Sequence, residues 1–584
     1  MAWGVAARPA AEGTRGACVG HGRGWRLRLL LLTAASGALV QPLRADDPAV
    51  CHRVARIVVV SHGLFAPEDL VGRRLGWGLG LVDRLHVGTR HDLARGLLRI
   101  AEGDCYDTAR VDDSVRRLRD LPFVARAEAT AEQRPDSSWV VHVRLWDEWS
   151  TEVSPEFDVE NRFRYKGGLL SERNLLGRGL GASVRWRDFR EDRVRLVALS
   201  STRFLGTQAF ARGTLGVTRV GRYWRQEVTR PWLDEGPGAS GSMSAQAEQR
   251  PFAYLTGMGS GPTHVVLPLD DRNWLARAQR RTGQAGALRL VGAELEVIRR
   301  TLTGAPRLVL NRDFTTGLPV SDAVVRELAS HASPDSWLRL GLTAGWRRIR
   351  FSAAPGLDLM SGAQTIAEGT ELMVTVGRTV TTWQTTPVGS YVKLEGYATR
   401  MMGPLLLQGL VAGRGVRFDR KSAEGTVWRE LGVSGRGIGY LRLPPTALHR
   451  VVAGVRTDLR TRNDQPFQRT LGGEEGVRGY TNEELPAGST LTLFAEDRLD
   501  LPWFRPAADV GLTGFVDVGR GWRSGTPFGM ETGWRMAVGG GFRFAFPAGS
   551  GTVYRVEMAW PVNDAQFRRG PVFRTYWSPV LTLR

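Results

Sequence analysis

The stretch Leu338-Arg339-Leu340-Gly341-Leu342-Thr343-Ala344-Gly345-Trp346-Arg347 alternates with a period of two: its even positions are apolar, and its odd positions are Arg, Gly and Thr. Successive side chains of a β-strand point to opposite faces, so this reads as a strand between an apolar and a wet environment. The pattern recurs. Val392, Leu394, Gly396 and Ala398 alternate with Lys393, Glu395 and Tyr397, and Tyr554, Val556, Met558 and Trp560 alternate with Val553, Arg555 and Glu557. Short alternating stretches separated by turn residues fill the chain from residue 150 to residue 584, with no domain break and no helical layer to cover so much sheet. A soluble sandwich also alternates. Here, however, the second face carries Arg and Glu rather than Ser and Thr alone, as a wide polar lumen allows. A mainly β fold is expected, a transmembrane antiparallel β-barrel that satisfies every backbone group in lipid, apolar outside and polar inside. At about 10 residues per strand plus connections, the length predicts roughly 16 strands. Two Gly/Ser/Ala-rich segments, Glu235 to Arg250 and Pro355 to Gly369, read as exposed loops.

Composition agrees with one large ordered chain. Of 584 residues, 42% are hydrophobic and 24% charged, too apolar for disorder, and no uncharged run is long enough for a bundle of membrane helices. The 79 basic residues exceed the 59 acidic ones, giving a formal charge of +20. The arginines alternate through strands instead of clustering, so lumenal lining and contact with anionic lipid account for the surplus and no nucleic-acid partner is expected. The 19 tryptophans suit interfacial girdles, and equally an ordinary core.

Residues 1–45 read as a signal peptide with a preceding Ala/Gly/Arg-rich segment. Arg23, Arg26 and Arg28 flank the apolar run Leu27 to Val40, and Ala45 stands before Asp46 and Asp47. Fourteen residues rise only about 21 Å as a helix, short for a membrane span. Export would remove Cys18 and leave Cys51 and Cys105 in an oxidising compartment that permits a disulfide between them; two isolated buried thiols are the alternative. The 9 histidines show no metal-ligand spacing, so neither a metal nor a cofactor is expected.

Residues 50–148 form a separate α/β module. The strand Arg53 to Val60 is followed by a helical pattern over Thr89 to Ile100 with Leu93, Leu97 and Leu98 on one side. Asp107 caps a second helix carrying Val111, Val115 and Leu118. Phe123 to Glu132 and Trp139 to Trp146 are two more strands joined by a turn over Arg134 to Ser137. The order β-α-α-β-β gives a three-stranded sheet covered by two helices.

Several stretches carry a family resemblance. Gly168-Leu169-Leu170-Ser171-Glu172-Arg173-Asn174-Leu175-Leu176-Gly177-Arg178-Gly179 resembles the first barrel strands of the outer-membrane assembly-factor and two-partner-secretion transporter superfamily. Gly473-Glu474-Glu475-Gly476-Val477-Arg478-Gly479-Tyr480 resembles its VRGY signature, and Gly514-Phe515-Val516-Asp517-Val518-Gly519-Arg520-Gly521-Trp522 its F-x-D-x-G-x-x-W strand. The module resembles a single POTRA domain. Together the resemblance covers nearly all of residues 50 to 584.

The resemblance implies a loop around residues 471–490 folded into the lumen and locked by Arg478 on the strand carboxylate Asp517. Gly479 would allow a tight turn, Tyr480 would pack or donate its hydroxyl beside Val477, and Glu474 and Glu475 would serve as nearby counter-charges. Phe515, Gly519 and Trp522 would shape the receiving strand. Asn174, Gly177, Arg178 and Gly179 would belong to a glycine-thinned first strand that pairs with the last strand at the barrel's seam. The chain's end departs from the family's aromatic-terminated closing strand, with Pro579 near it and Arg584 last.

The implied function is outer-membrane protein insertion, or translocation of unfolded polypeptide, without covalent chemistry. The partners would be outer-membrane lipids, a client polypeptide and a periplasmic chaperone or accessory protein, with the module in the periplasm. Dedicated secretion, or passive transport of small or lipidic anionic substrates, is the other reading. The chain contains no G-x-S-x-G elbow, H-E-x-x-H motif or Walker loop, so an enzyme is not expected.

Overall fold

The computed structural model describes residues 51–579 apart from 66–79, 81–82, 84–85, 159–163, 190–192, 257–263, 310–316, 330–334, 383–387, 420–426, 444–447, 464, 483, 506 and 564–569. The expected signal peptide and the terminal Arg584 lie outside the described residues.

The module contains β1 (Val54–His62), α1 (His91–Leu97), α2 (Thr108–Arg119), β2 (Val124–Gln133) and β3 (Trp139–Asp147). The sheet order is β1-β3-β2, with β3 parallel to β1 and antiparallel to β2. Leu93 and Leu97 are one turn apart on α1, as Val111, Val115 and Leu118 are on α2. Both apolar stripes pack on Ile57, Val141, Val143 and Leu145 of the sheet. Asp107 caps α2, its carboxylate accepting the Ala109 amide at 2.8 Å. Cys51 and Cys105 are both disulfide-bonded.

The rest of the chain is one large antiparallel sheet. It begins with six short strands: β4 (Thr151–Asp158), β5 (Arg164–Leu175), β6 (Leu180–Arg187), β7 (Val194–Ser201), β8 (Phe210–Val217) and β9 (Arg222–Arg230). Taller strands follow: β10 (Gly238–Leu255), β11 (His264–Gln284) and β12 (Ala287–Leu302). After the three-residue strands β13 (Arg307–Val309) and β14 (Gly317–Pro319) and helix α3 (Asp322–Ala329) come β15 (Asp335–Pro355), β16 (Ala363–Thr382), β17 (Gly389–Met402), β18 (Leu405–Phe418), β19 (Trp428–Arg442) and β20 (His449–Thr461). A small ribbon, β21 (Arg469–Thr470) with β22 (Pro486–Ala487), precedes β23 (Ser489–Leu501), β24 (Asp509–Trp522), β25 (Gly533–Ala545), β26 (Thr552–Pro561) and β27 (Val572–Pro579).

Among the described residues, 22 strands join this sheet in a cyclic order in which β27 returns to β4. The expectation of roughly 16 strands is therefore too low. That figure assumed uniform full-length strands and long connections, whereas β4 to β9 are only 8 to 12 residues long and closely spaced. The pair β13–β14 is a side hairpin, because β12 also pairs directly with β15.

The side chains are distributed in the reverse of a soluble protein. On β15, Leu340, Leu342 and Trp346 are 50%, 72% and 49% exposed, whereas Arg339, Thr343 and Arg347 are buried. The exposed residues point outward and the buried polar ones into the lumen. The loop expected over Glu235 to Arg250 is mostly β10: its Gly, Ser and Ala residues form full ladders with β9 and β11, a pairing that composition alone hides. Pro355 to Gly369 is likewise mostly strand, with only 356–362 between β15 and β16. Among the described residues no helix is long and apolar enough to cross a membrane.

Candidate functional site

The connection from β20 to β23 enters the lumen as the ribbon β21–β22 and ends in a compact tip. The Leu471 amide donates to the Leu485 carbonyl at 3.0 Å, the Val477 amide to the Leu471 carbonyl at 2.8 Å and the Gly473 amide to the Tyr480 carbonyl at 3.0 Å. Backbone groups taken out of water are thus paired inside the loop. Leu471, Val477 and Tyr480 are buried together against Ala537 of β25.

Arg478 extends from this tip to the wall. Its Nε and Nη2 donate to the two carboxylate oxygens of Asp517 on β24, both at 2.8 Å, and its backbone amide donates to Asp517 Oδ2 at 3.0 Å. This is the fork geometry that only a planar guanidinium supplies. Nη1 donates to Glu496 on β23 and to Glu557 on β26, each at 3.2 Å. The guanidinium carbon lies 3.3 Å from the ring centroid of Phe515, so a cation–π contact closes the remaining face. Arg574 of β27 donates to the main-chain oxygens of Arg478 and Tyr480 at 3.3 and 2.6 Å. One loop residue and its neighbours are tied to β23, β24, β26 and β27, the strands leading to the junction with β4.

Two glycines make the approach possible. A Cβ on Gly479 would stand 2.6 Å from the Ala537 Cβ and 2.8 Å from the Pro561 nitrogen, so the loop backbone lies directly on β25 and β26. A Cβ on Gly519 would meet Val477 Cγ2 at 2.8 Å, which makes this β24 position the recess that accepts the tip. Trp522 ends the same strand, half-buried, 5.3 Å from the Arg520 guanidinium carbon.

The lock rests on a larger buried network. Glu496 also accepts from Arg498 at 2.8 Å and from Arg555 at 3.0 Å, and Arg555 bonds Glu557. Arg498 continues to the Asp358 carboxylate at 2.8 Å, to which the Tyr440 hydroxyl also donates, while the Arg543 guanidinium donates to the Asp358 main-chain oxygen. Sequence reading did not single out Glu496, Arg498, Arg574, Asp358 or Arg543. Their signal was present as i, i+2 charges on one strand face, Glu496-x-Arg498 and Arg555-x-Glu557.

Two expected groupings are corrected. Arg478 takes its carboxylates from Asp517, Glu496 and Glu557, whereas Glu474 and Glu475 make no ion pair with it and are exposed on the tip, where they line the lumen beside Arg456. Val477 and Tyr480 occupy the face of the tip that packs on the wall, which leaves the two glutamates on its other face. Asn174, Gly177, Arg178 and Gly179 are not a seam strand. Asn174 stands at the end of β5 and Gly177, Arg178 and Gly179 form the turn to β6, and the strand beside β27 is β4. Gly177 and Gly179 have φ of 69° and 65°, values a turn requires and glycine adopts freely. A Cβ on Gly177 would lie 2.3 Å from the Gly88 carbonyl oxygen, and Gly177 accepts the Arg90 amide at 3.0 Å. Asn174 is buried, donating to Thr89 Oγ1 at 2.9 Å and accepting the Gly179 amide at 2.8 Å. This motif seats the module on the barrel, while Arg178 points to solvent.

A second ion-pair cluster lies at the module's end of the lumen, on the turn between β9 and β10. Glu235 receives both Nε and Nη2 of Arg347, at 2.7 and 2.8 Å, while Arg347 also bonds Glu371 on β16. Beside it, Asp234 accepts from Arg99 of the module at 2.6 Å, and Arg281 stacks 3.9 Å over Trp232. This turn links the inner wall to the module.

No family model and no curated protein matches the chain. Among solved structures it is similar to BamA from Haemophilus ducreyi lacking POTRA domains 1–3, at 12% identity over 90% of this chain and 84% of that one, with a TM-score of 0.35. CdiB from Escherichia coli matches at 12% identity over 92% of each chain, with a TM-score of 0.43. CdiB from Acinetobacter baumannii matches at 10% identity over 90% of this chain and 74% of that one, with a TM-score of 0.40.

Proposed function

We propose that the chain is an outer-membrane barrel that inserts or translocates polypeptide without covalent chemistry, with its α/β module in the periplasm. The observation that carries this reading is the lumenal loop clamped through Arg478 to the strands that approach the β27–β4 junction. Both junction strands have only 8 residues, so fewer ladder bonds hold the wall there than between the tall strands. A fixed loop on one side of a short junction lets an extended client meet strand edges while the rest of the barrel keeps its register. The partners are outer-membrane lipid, an unfolded client and an accessory protein presenting it to the module.

The test is depletion of the protein in its native host followed by quantitative proteomics of purified outer membranes. A broad fall in other barrel proteins is expected. Loss of one exported protein would replace this reading with dedicated secretion, and an unchanged membrane proteome would overturn it.

A further inference from the structure

The lumen holds a chamber of about 850 Å³ between the loop tip and the inner faces of β10, β19, β20 and β23. Arg436 on β19 and Arg456 on β20 are direct cross-strand partners in this chamber. Two like charges placed opposite each other on one face destabilise a sheet, so the pairing is unfavourable unless something lies between them.

Among the described residues no carboxylate is hydrogen-bonded to either guanidinium, although Arg456 lies 5.1 Å over the Phe494 ring. Nε and Nη2 of Arg436 are buried without a hydrogen-bond partner among the described residues. Arg456 donates from Nη1 to the main-chain oxygen of Glu474 at 3.2 Å, not to a carboxylate. Of the chamber's acids, Asp458 is already held by Arg460 and Arg469, at 2.9 and 2.7 Å. Glu474 and Glu475, the other two, are exposed at the loop tip and act on Arg456 through space, without a carboxylate hydrogen bond to it. Thr490 and Thr492 of β23 add hydroxyls to the wall beside Arg456.

We propose that Arg436 and Arg456 form a binding site for a small oxyanion, a phosphate or carboxylate group that places acceptor oxygens between the two guanidinium planes. Charge-assisted bonds to such a group are about twice as strong as neutral ones, and the anion would also remove the repulsion within the pair. The site does not depend on the polypeptide-handling reading and is tested without any client.

The experiment uses the purified full-length protein in detergent with inorganic phosphate as the probe. Phosphate should raise the thermal unfolding midpoint of the native protein above that in chloride of equal ionic strength, because an anion bound only by the folded state stabilises it. The doubly substituted Arg436→Gln, Arg456→Gln protein should lose this shift. Arg436→Gln alone should unfold at a higher temperature than the native protein in phosphate-free buffer, since it relieves the like-charge pair. Isothermal titration of the native protein, which needs no variant, should show saturable phosphate binding. No saturable binding, or a phosphate shift retained by the doubly substituted protein, would overturn the site.

Discussion

Arg478 has five N–H donors, and the lumen presents them with a bidentate aspartate and two glutamates. Arg478→Ala leaves those carboxylates partly unpaired in a buried site, where breaking an ion pair from one side costs about 3–5 kcal/mol. The expected result is a lower urea midpoint for barrel unfolding. Arg478→Lys keeps the charge but not the fork, so its midpoint should fall between those of the native protein and the alanine variant. Equal midpoints for all three would contradict the lock. Gly479 tests the close approach instead. Gly479→Ala forces a methyl into β25 and β26 and should destabilise by about 1–3 kcal/mol, the usual cost of overpacking. Gly514→Ala on β24 is the matched control, because nothing lies within 4 Å of its added Cβ, and it should leave the midpoint nearly unchanged.

Among the elements, the β9–β10 turn is where module and wall meet through charge. Asp234→Asn with Glu235→Gln removes the carboxylates facing Arg99 and Arg347. Hydrogen exchange should then rise in the turn and in the module around Arg99, while β19 and β20 stay protected; unchanged exchange would show that the turn does not tether the module. The contrast between the two ion-pair clusters also shows what sequence can reveal. Period-two alternation made strands such as β15 legible, and Asp107 with the Val111-Val115-Leu118 spacing marked α2. The Arg478–Asp517 grouping came from motif resemblance, since nothing in the intervening residues dictates that they meet. Glu496, Glu557 and Arg574 stayed hidden because a lumen-facing charge looks the same in sequence whether it meets water or a folded-in loop. The Gly177–Gly179 segment was misplaced for a related reason. Glycine serves a bent strand and a left-handed turn alike, and only the module's Gly88 carbonyl against it distinguishes the two. The β10 segment was read as a loop because small residues carry no alternation signal when both faces are nearly bare.

For the molecule as a whole, strand length varies sharply around the wall. The strands β4 to β9 have 8 to 12 residues, whereas β10, β11, β15 and β16 have 18 to 21. At about 3.4 Å per residue and a tilt of about 45°, these extremes span roughly 19 and 50 Å, against a hydrocarbon core of about 30 Å. The low side sits next to the β27–β4 junction, so in the proposed membrane setting lipid would have to thin there at some energetic cost. The protein should therefore fold faster and unfold at higher temperature in vesicles of short-chain lipids than of long-chain lipids, as read by heat-dependent gel mobility. Independence of chain length would contradict the low wall. The most direct test of the central claim is reconstitution of the purified full-length protein into vesicles of outer-membrane-like composition, with an unfolded barrel protein added outside. The account predicts faster appearance of the protease-resistant, folded client than in empty vesicles, and a loss of that acceleration with Arg478→Ala. A client that folds at the same rate in empty and protein-bearing vesicles would contradict it.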